Sequence, residues 1–348
     1  MITLDEIKNY LKNYDGDDIN IMEVCGSHTE AIAKYGIPGM LSERIHLLSG
    51  PGCPVCVTPS SYIDRLIDLS KEPDTIIATF GDLIRVPGSK KSLSDVRGEG
   101  AEVLMVYSPM DIIEKAKAQP QKTFIFAAVG FETTTPVYAT LIDRLVAEDI
   151  KNVKLLTALK TMPQVIDHLL KNGAPIDGFI APGHVSVVTG YGIFEPLAEK
   201  YGIPFGVSGF QGNELLIALY GIVKNIGKGV VKNYYPSVVT REGNLAAKEL
   251  TDRYFTQSDA TWRGMGNVTG SGRLIAKSYE KYDAKSADLV EDHKKNAACR
   301  CDQVLMGKIK PYECPLYKKV CTPMTPQGAC MVSTEGSCFS YLSNGRRD

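Results

Sequence analysis

The sequence predicts an α/β protein: two similar parallel-sheet α/β domains followed by a third, mostly helical and loop-rich domain organised by cysteines. Three observations predict it. Short apolar runs alternate with amphipathic segments at βαβ spacing from Ile19 onward. The pattern restarts near Thr123 and loses its regularity after Gly209. Cysteines are lopsided, with Cys25, Cys53 and Cys56 early and Cys299, Cys301, Cys314, Cys321, Cys330 and Cys338 in the last fifty residues.

Taken in order, INIMEV is a strand, and a helix follows it, ending near Tyr35-Gly36. IHLLSG is a second strand, followed by a helix from about Ser61 to Leu69, the strands TIIATF and VLMVY, and an amphipathic stretch from Met110 to Lys117. The second half gives TFIFAAVGF, a helix from about Pro136 to Glu148, VKLLTAL, a helix over Pro163 to Leu170, GFIAPG, a helix near Glu195 to Tyr201, and IPFGVSG. Uniformly apolar strands alternating with helices imply parallel sheets covered on both faces. The expected domains are therefore 19–118, 119–210 and 211–348, the last possibly joined by 1–18. NELLIALYGIVKNI is a helix by its apolar spacing, and the polar, Gly- and Tyr-rich remainder needs a staple to hold its shape.

With 348 residues, 39 Lys+Arg against 40 Asp+Glu and a net charge of -1, the chain is not drawn to nucleic acid or to an anionic membrane. At 44% hydrophobic and 23% charged it has an ordinary globular composition. Its first residues lack the basic start and apolar core of a secretory signal, and no run reaches the ~18 apolar residues of a membrane span. A cytoplasmic, reducing location is expected, in which clustered cysteines bind metal or act in redox chemistry rather than forming a structural disulfide framework.

In open parallel sheets, ligands bind beyond the carboxyl ends of the strands. CGSHT, GPGCPVC, FGDLIRVPGS, GFETTTP and PGHVS all fall there. Cys53 and Cys56 form a C-x-x-C expected at a helix start, where amides and dipole favour thiolate; such a pair offers a reversible disulfide or two metal ligands. Cys25 with His28 suits a soft transition metal such as iron, or a nucleophilic pair. His184 sits in an equivalent turn of the other half and Glu132 adds a carboxylate, so one shared cleft is expected. His46, His168 and His293 have no such setting. In the tail, Cys301, Cys314, Cys321 and Cys338 offer four thiolates for an iron-sulfur cluster; structural zinc is the competing reading, though it usually uses short paired knuckles. G-x-x-x-x-G-K-[ST], GxGxxG and G-x-S-x-G are absent.

Six ordered motifs, CGSHT, GPGCPVC, FGDLIRVPGS, GFETTTP, APGHVS and the cysteine tail from Cys301 to Cys338, together resemble the HypD family of NiFe-hydrogenase maturation factors from about Glu23 to Tyr341. The resemblance implies two α/β domains plus a 4Fe-4S domain. It also implies a scaffold on which an iron carrying two cyanides and one carbon monoxide is assembled. By motif, Cys25 would hold that iron with His28 beside it, Cys53 and Cys56 would be a redox couple, and Cys301, Cys314, Cys321 and Cys338 would carry the cluster. Cys299 and Cys330 fall outside that spacing. The implied partners are a HypC-type chaperone and a HypE-type cyanide donor, with HypF upstream and the hydrogenase large subunit as recipient. An iron-sulfur disulfide reductase is the alternative from another class. To regenerate the Cys53 and Cys56 couple, the cluster is expected to pack close to the CPVC turn.

Overall fold

The computed structural model describes residues 2–287, 289, 291–293 and 296–344. Its strands are β1 (Ile19–Glu23), β2 (Ile45–Ser49), β3 (Thr75–Thr79), β4 (Val103–Met105), β5 (Thr123–Gly130), β6 (Val153–Lys160), β7 (Gly178–Pro182), β8 (Phe205–Ser208), β9 (Val231–Asn233), β10 (Phe255–Trp262) and β11 (Gly266–Ile275). They form two sheets. The first, in the order β2-β1-β7-β8-β9, is parallel throughout. The second, β10-β11-β6-β5-β3-β4, is parallel from β6 to β4 and carries the antiparallel hairpin β10-β11 at one edge.

Side chains alternate across each strand, so each sheet feeds two cores. In the first sheet Ile19, Ile21 and Ile180 join Leu215 and Leu219 of helix Gly212–Val223 in one outer core. In the second, Phe124, Phe126 and Ala128 join Tyr138, Leu141 and Ile142 of helix Thr135–Ala147 in another. The opposite faces, with Met22 and Phe179 from one sheet and Ile125 and Ala127 from the other, meet in a single shared core that also holds Cys53, Cys56, Trp262 and all six tail cysteines. The α/β class is the one expected.

Sheet membership departs from the expected boundaries. β1 and β2 pair with β7 and β8 from the second stretch, while β3 and β4 pair with β5 and β6. The stretch 211–348 adds β9 to one sheet and the β10-β11 hairpin to the other, so the division at 118/119 and 210/211 is not the division of the sheets. The reason is physical: an apolar run such as TIIAT or GFIAP declares burial on both faces but carries no mark of its neighbour. At the N-terminus a capping box of Thr3 with Glu6 opens helix Leu4–Lys12, which lies on helix Gly212–Val223 through an edge-to-face contact of Tyr10 with Tyr220 at 5.1 Å. Among the described residues no helix is long and apolar enough to cross a membrane.

Candidate functional site

Because β1, β2, β7 and β8 belong to one parallel sheet, the turns that follow them share its carboxyl edge: CGSHT, GPGCPVC, PGHVS and Ser208-Gly209-Phe210. Backbone bonds lace the first two together. Gly50 N–H donates to the Glu23 carbonyl at 2.8 Å and Gly26 N–H to the Gly52 carbonyl at 3.0 Å. The chain leaves β1 in extended conformation at Cys25, which is the N-cap of helix Gly26–Lys34. The Glu23 carboxylate fixes this turn, accepting from the Cys25 N–H at 3.0 Å and from Thr29 Oγ1 at 2.5 Å.

Cys25 is half-buried. Burial, helped by the charges of Glu335 and Glu23, pushes its thiol up to about 12, while the amides of His28 and Ser27 act in the other direction. Uncoordinated, this sulfur is a thiol, and a bound metal cation is what would make it a thiolate. His28 is 0% exposed. Its Nε2 lies 3.3 Å from the Ser208 carbonyl and 3.1 Å from that of Gly209. Carbonyls only accept, so Nε2 carries the hydrogen and Nδ1 is an acceptor. Nδ1 is buried without a hydrogen-bond partner among the described residues. Burial lowers the His28 pKa to about 4, so the ring is neutral. Phe210 is stacked between two imidazoles, His28 at 4.6 Å and His184 at 4.1 Å between centroids.

Cys53 and Cys56 form a disulfide with Cα atoms 5.2 Å apart. They occupy a turn and not a helix start: the helix begins at Ser60, after Pro59, so the expected help from a helix dipole is missing. At 3% and 0% exposure both sulfurs lie in the shared core.

The tail reaches this site from the far end of the chain. Helix Ser337–Ser343 packs on helix Gly26–Lys34; Ser340 Oγ donates to the Thr29 carbonyl at 3.4 Å and Ser27 Oγ to Glu335 Oε1 at 3.3 Å. Gly26 is needed there, since a Cβ would stand 2.4 Å from that of Glu335. Cys299, Cys301, Cys314, Cys321, Cys330 and Cys338 line one small cavity with Tyr317, Gly328 and Met331. Cys301 is central, its thiol lowered by hydrogen bonds from Cys299 and Cys330. Cys330, expected to fall outside the set, is a free thiol whose pKa is raised by hydrogen bonding with Cys301 and Cys338 and by burial. Among the described residues no three His, Cys, Asp or Glu side chains are grouped as a single-ion site. A buried pocket lined by six thiols is instead the donor set that an iron-sulfur cluster takes, with two sulfurs more than four ligands require.

The single shared cleft expected for Glu132 is not what forms. His184 joins Cys25 and His28 through Phe210, because β7 pairs with β1; it is exposed, and partial burial lowers its pKa. Glu132 follows β5 in the other sheet, where its Oε1 accepts from the Met162 N–H at 2.7 Å. Its Oε2 is buried without a partner among the described residues, and Glu132 lines a cavity of about 200 Å³ with Thr135, Thr161, Lys248 and Arg273. Burial raises its carboxyl to about 7 against the pull of the Met162 amide and Arg273. Glu23, Phe210 and Glu335 belong to the Cys25 site but were not legible beforehand: Glu23 and Phe210 lie outside the chemical motifs, and Glu335 lies inside the tail motif but carries none of its cysteines.

The HypD profile, described as a hydrogenase formation hypA family, matches residues 2–345. A putative hydrogenase expression/formation protein of Methanocaldococcus jannaschii is 40% identical over 334 residues, 95% of this chain and 93% of that protein. The hydrogenase maturation factor HypD of Cupriavidus necator is 39% identical over 347 residues, 95% and 91% of the two chains, and that of Escherichia coli 38% over 335 residues, 93% and 88%. A match that runs nearly end to end takes in both sheets, the Cys25 turn and the cysteine cavity, and the chain therefore belongs to the HypD family of hydrogenase maturation factors.

Proposed function

We propose that this maturation factor is the scaffold on which the Fe(CN)2CO unit of NiFe hydrogenases is assembled. The iron is substrate here, held by Cys25, with neutral His28 beside it. The observation that carries the reading is the lacing of the Cys25 turn to the disulfide-bearing CPVC turn, with the cysteine-lined tail docked on the same helix. Cyanide and carbon monoxide are strong-field ligands and leave a site that prefers sulfur. A half-buried cysteine at a helix N-terminus meets that preference and keeps an open side for delivery. His184 lies across Phe210 on the exposed side of this group. Glu132, in its separate cavity, acts away from the iron.

A 4Fe-4S cluster, when held by Cys301, Cys314, Cys321 and Cys338, supplies one-electron reduction beside the CPVC turn. The Cys53–Cys56 disulfide takes up two electrons and two protons; its S–S bond breaks and two thiols form. The electrons come singly from a low-potential protein carrier, which is oxidised twice. A HypC-type chaperone shares the iron, a HypE-type partner supplies cyanide made with HypF, and the hydrogenase large subunit receives the product. A reductase acting on an external disulfide needs a reachable thiol, and the burial of Cys53 and Cys56 favours the scaffold. Infrared spectra of the chain copurified with its chaperone test this: cyanide and carbon monoxide bands are expected in the native protein and none in Cys25→Ala. Bands of full intensity in Cys25→Ala overturn it.

A further inference from the structure

Arg263 sits in the loop joining β10 to β11 and is 7% exposed. Its backbone N–H donates to the Val57 carbonyl at 2.8 Å and its Nε to the Thr58 carbonyl at 2.7 Å, so it is pinned to the two residues that follow Cys56. The Asp292 carboxylate stands 3.9 Å from Nε. Arg263 also lines a second cavity with Asp292, Asp302, Gln327, Gly328, Cys299 and Cys301. Its Nη2 is buried with no hydrogen-bond partner among the described residues. The loop is pressed onto helix Cys301–Leu305: Gly264 has φ 75°, and a Cβ on it would stand 2.1 Å from that of Asp302. Arg263 thus touches the segment of one sulfur pair and faces the cysteines of the other.

An arginine N–H donor left unmade in a buried site is costly, and a sulfur carrying negative charge is the partner that satisfies it. We propose that Arg263 is a positioning residue between the two sulfur centres, offering Nη2 to the sulfur at Cys299 and Cys301 and raising the reduction potential of the cluster held there. The inference rests on the cluster reading given above. Reduction adds one electron, and so one negative charge, to the cavity without making or breaking a bond; a fixed positive charge and a hydrogen bond to sulfur favour that state.

The test is a dithionite titration of the anaerobically isolated full chain, followed by visible absorption and electron paramagnetic resonance, with iron and sulfide counted in each sample. Arg263→Gln is expected to keep its iron while the one-electron equilibrium constant falls about tenfold, a shift of about 59 mV to lower potential. Arg263→Lys should recover part of it. Asp292→Asn, which removes the opposing charge, should shift the potential upward. A merely structural arginine gives no such opposed pair. An unchanged potential in Arg263→Gln, or shifts of the same sign in Arg263→Gln and Asp292→Asn, overturns the inference alone; native protein without iron and sulfide overturns the cluster reading beneath it. Should Arg263→Gln fail to hold the cluster, the direction of the Asp292→Asn shift decides.

Discussion

Gly52 lies flat against the backbone of Cys25. A Cβ on residue 52 would stand 2.3 Å from the Cys25 nitrogen, 2.5 Å from its Cα and 2.6 Å from the Val24 carbonyl carbon. All three are backbone atoms, which cannot swing aside as a side chain can. The missing side chain is what allows the CPVC turn and the CGSHT turn to share one sheet edge.

Gly52→Ala is therefore expected to push the two turns apart. Forced overpacking costs about 1–3 kcal/mol, to be read from thermal unfolding. Hydrogenase maturation in a complemented deletion strain should fall with it, while Gly98→Ala, where a Cβ meets nothing within 4 Å, should leave maturation intact.

Removal of Cys314, Cys321 or Cys338, each as the Ala variant, should strip iron and acid-labile sulfide from the protein, and Cys301→Ala should do the same. Cys299→Ala and Cys330→Ala should keep the iron, Cys330→Ala with a lowered unfolding temperature because its sulfur is buried in the shared core at 1% exposure. Iron retained in Cys301→Ala but lost in Cys299→Ala would move the fourth ligand two residues, to another sulfur of the same cavity.

Mass spectrometry after mild oxidation should find a Cys53–Cys56 link in the native chain. In Cys53→Ser the link is absent, iron and sulfide in the tail are retained, and maturation stops. Because both sulfurs are buried, alkylation of the reduced pair should be slow in the folded protein and fast in urea. Normal maturation in Cys53→Ser would rule out a required thiol couple.

Burial keeps His28 neutral down to about 4, whereas an unfolded chain protonates histidine near 6.5. Between those values the unfolded state binds more protons, so stability falls as pH drops through that window. From about pH 7.5 to about pH 5 the loss attributable to this ring is roughly 2 kcal/mol. Urea midpoints at the two pH values should drop less in His28→Gln than in the native protein. Equal drops would remove His28 as the cause.

Much of this protein was determined by sequence alone. The apolar runs fixed which segments are strands, since β-spacing and double-faced burial leave few other conformations for TFIFAAV or GFIAP. The chemical turns lie at strand ends because short connections place them there, and six cysteines within fifty residues had little choice but to gather. Tertiary structure decided the rest. Which strand lies beside β1 depends on side-chain fit across 157 positions, as in the 2.7 Å bond from Asn20 N–H to Asp177, and no local pattern encodes it. That one pairing places His184 with His28 and sends Glu132 to the other sheet. The tail's docking on Gly26, the turn conformation at CPVC and the placement of Arg263 between two sulfur groups likewise arise from contacts between distant segments, which exist only once both sheets have formed their shared core.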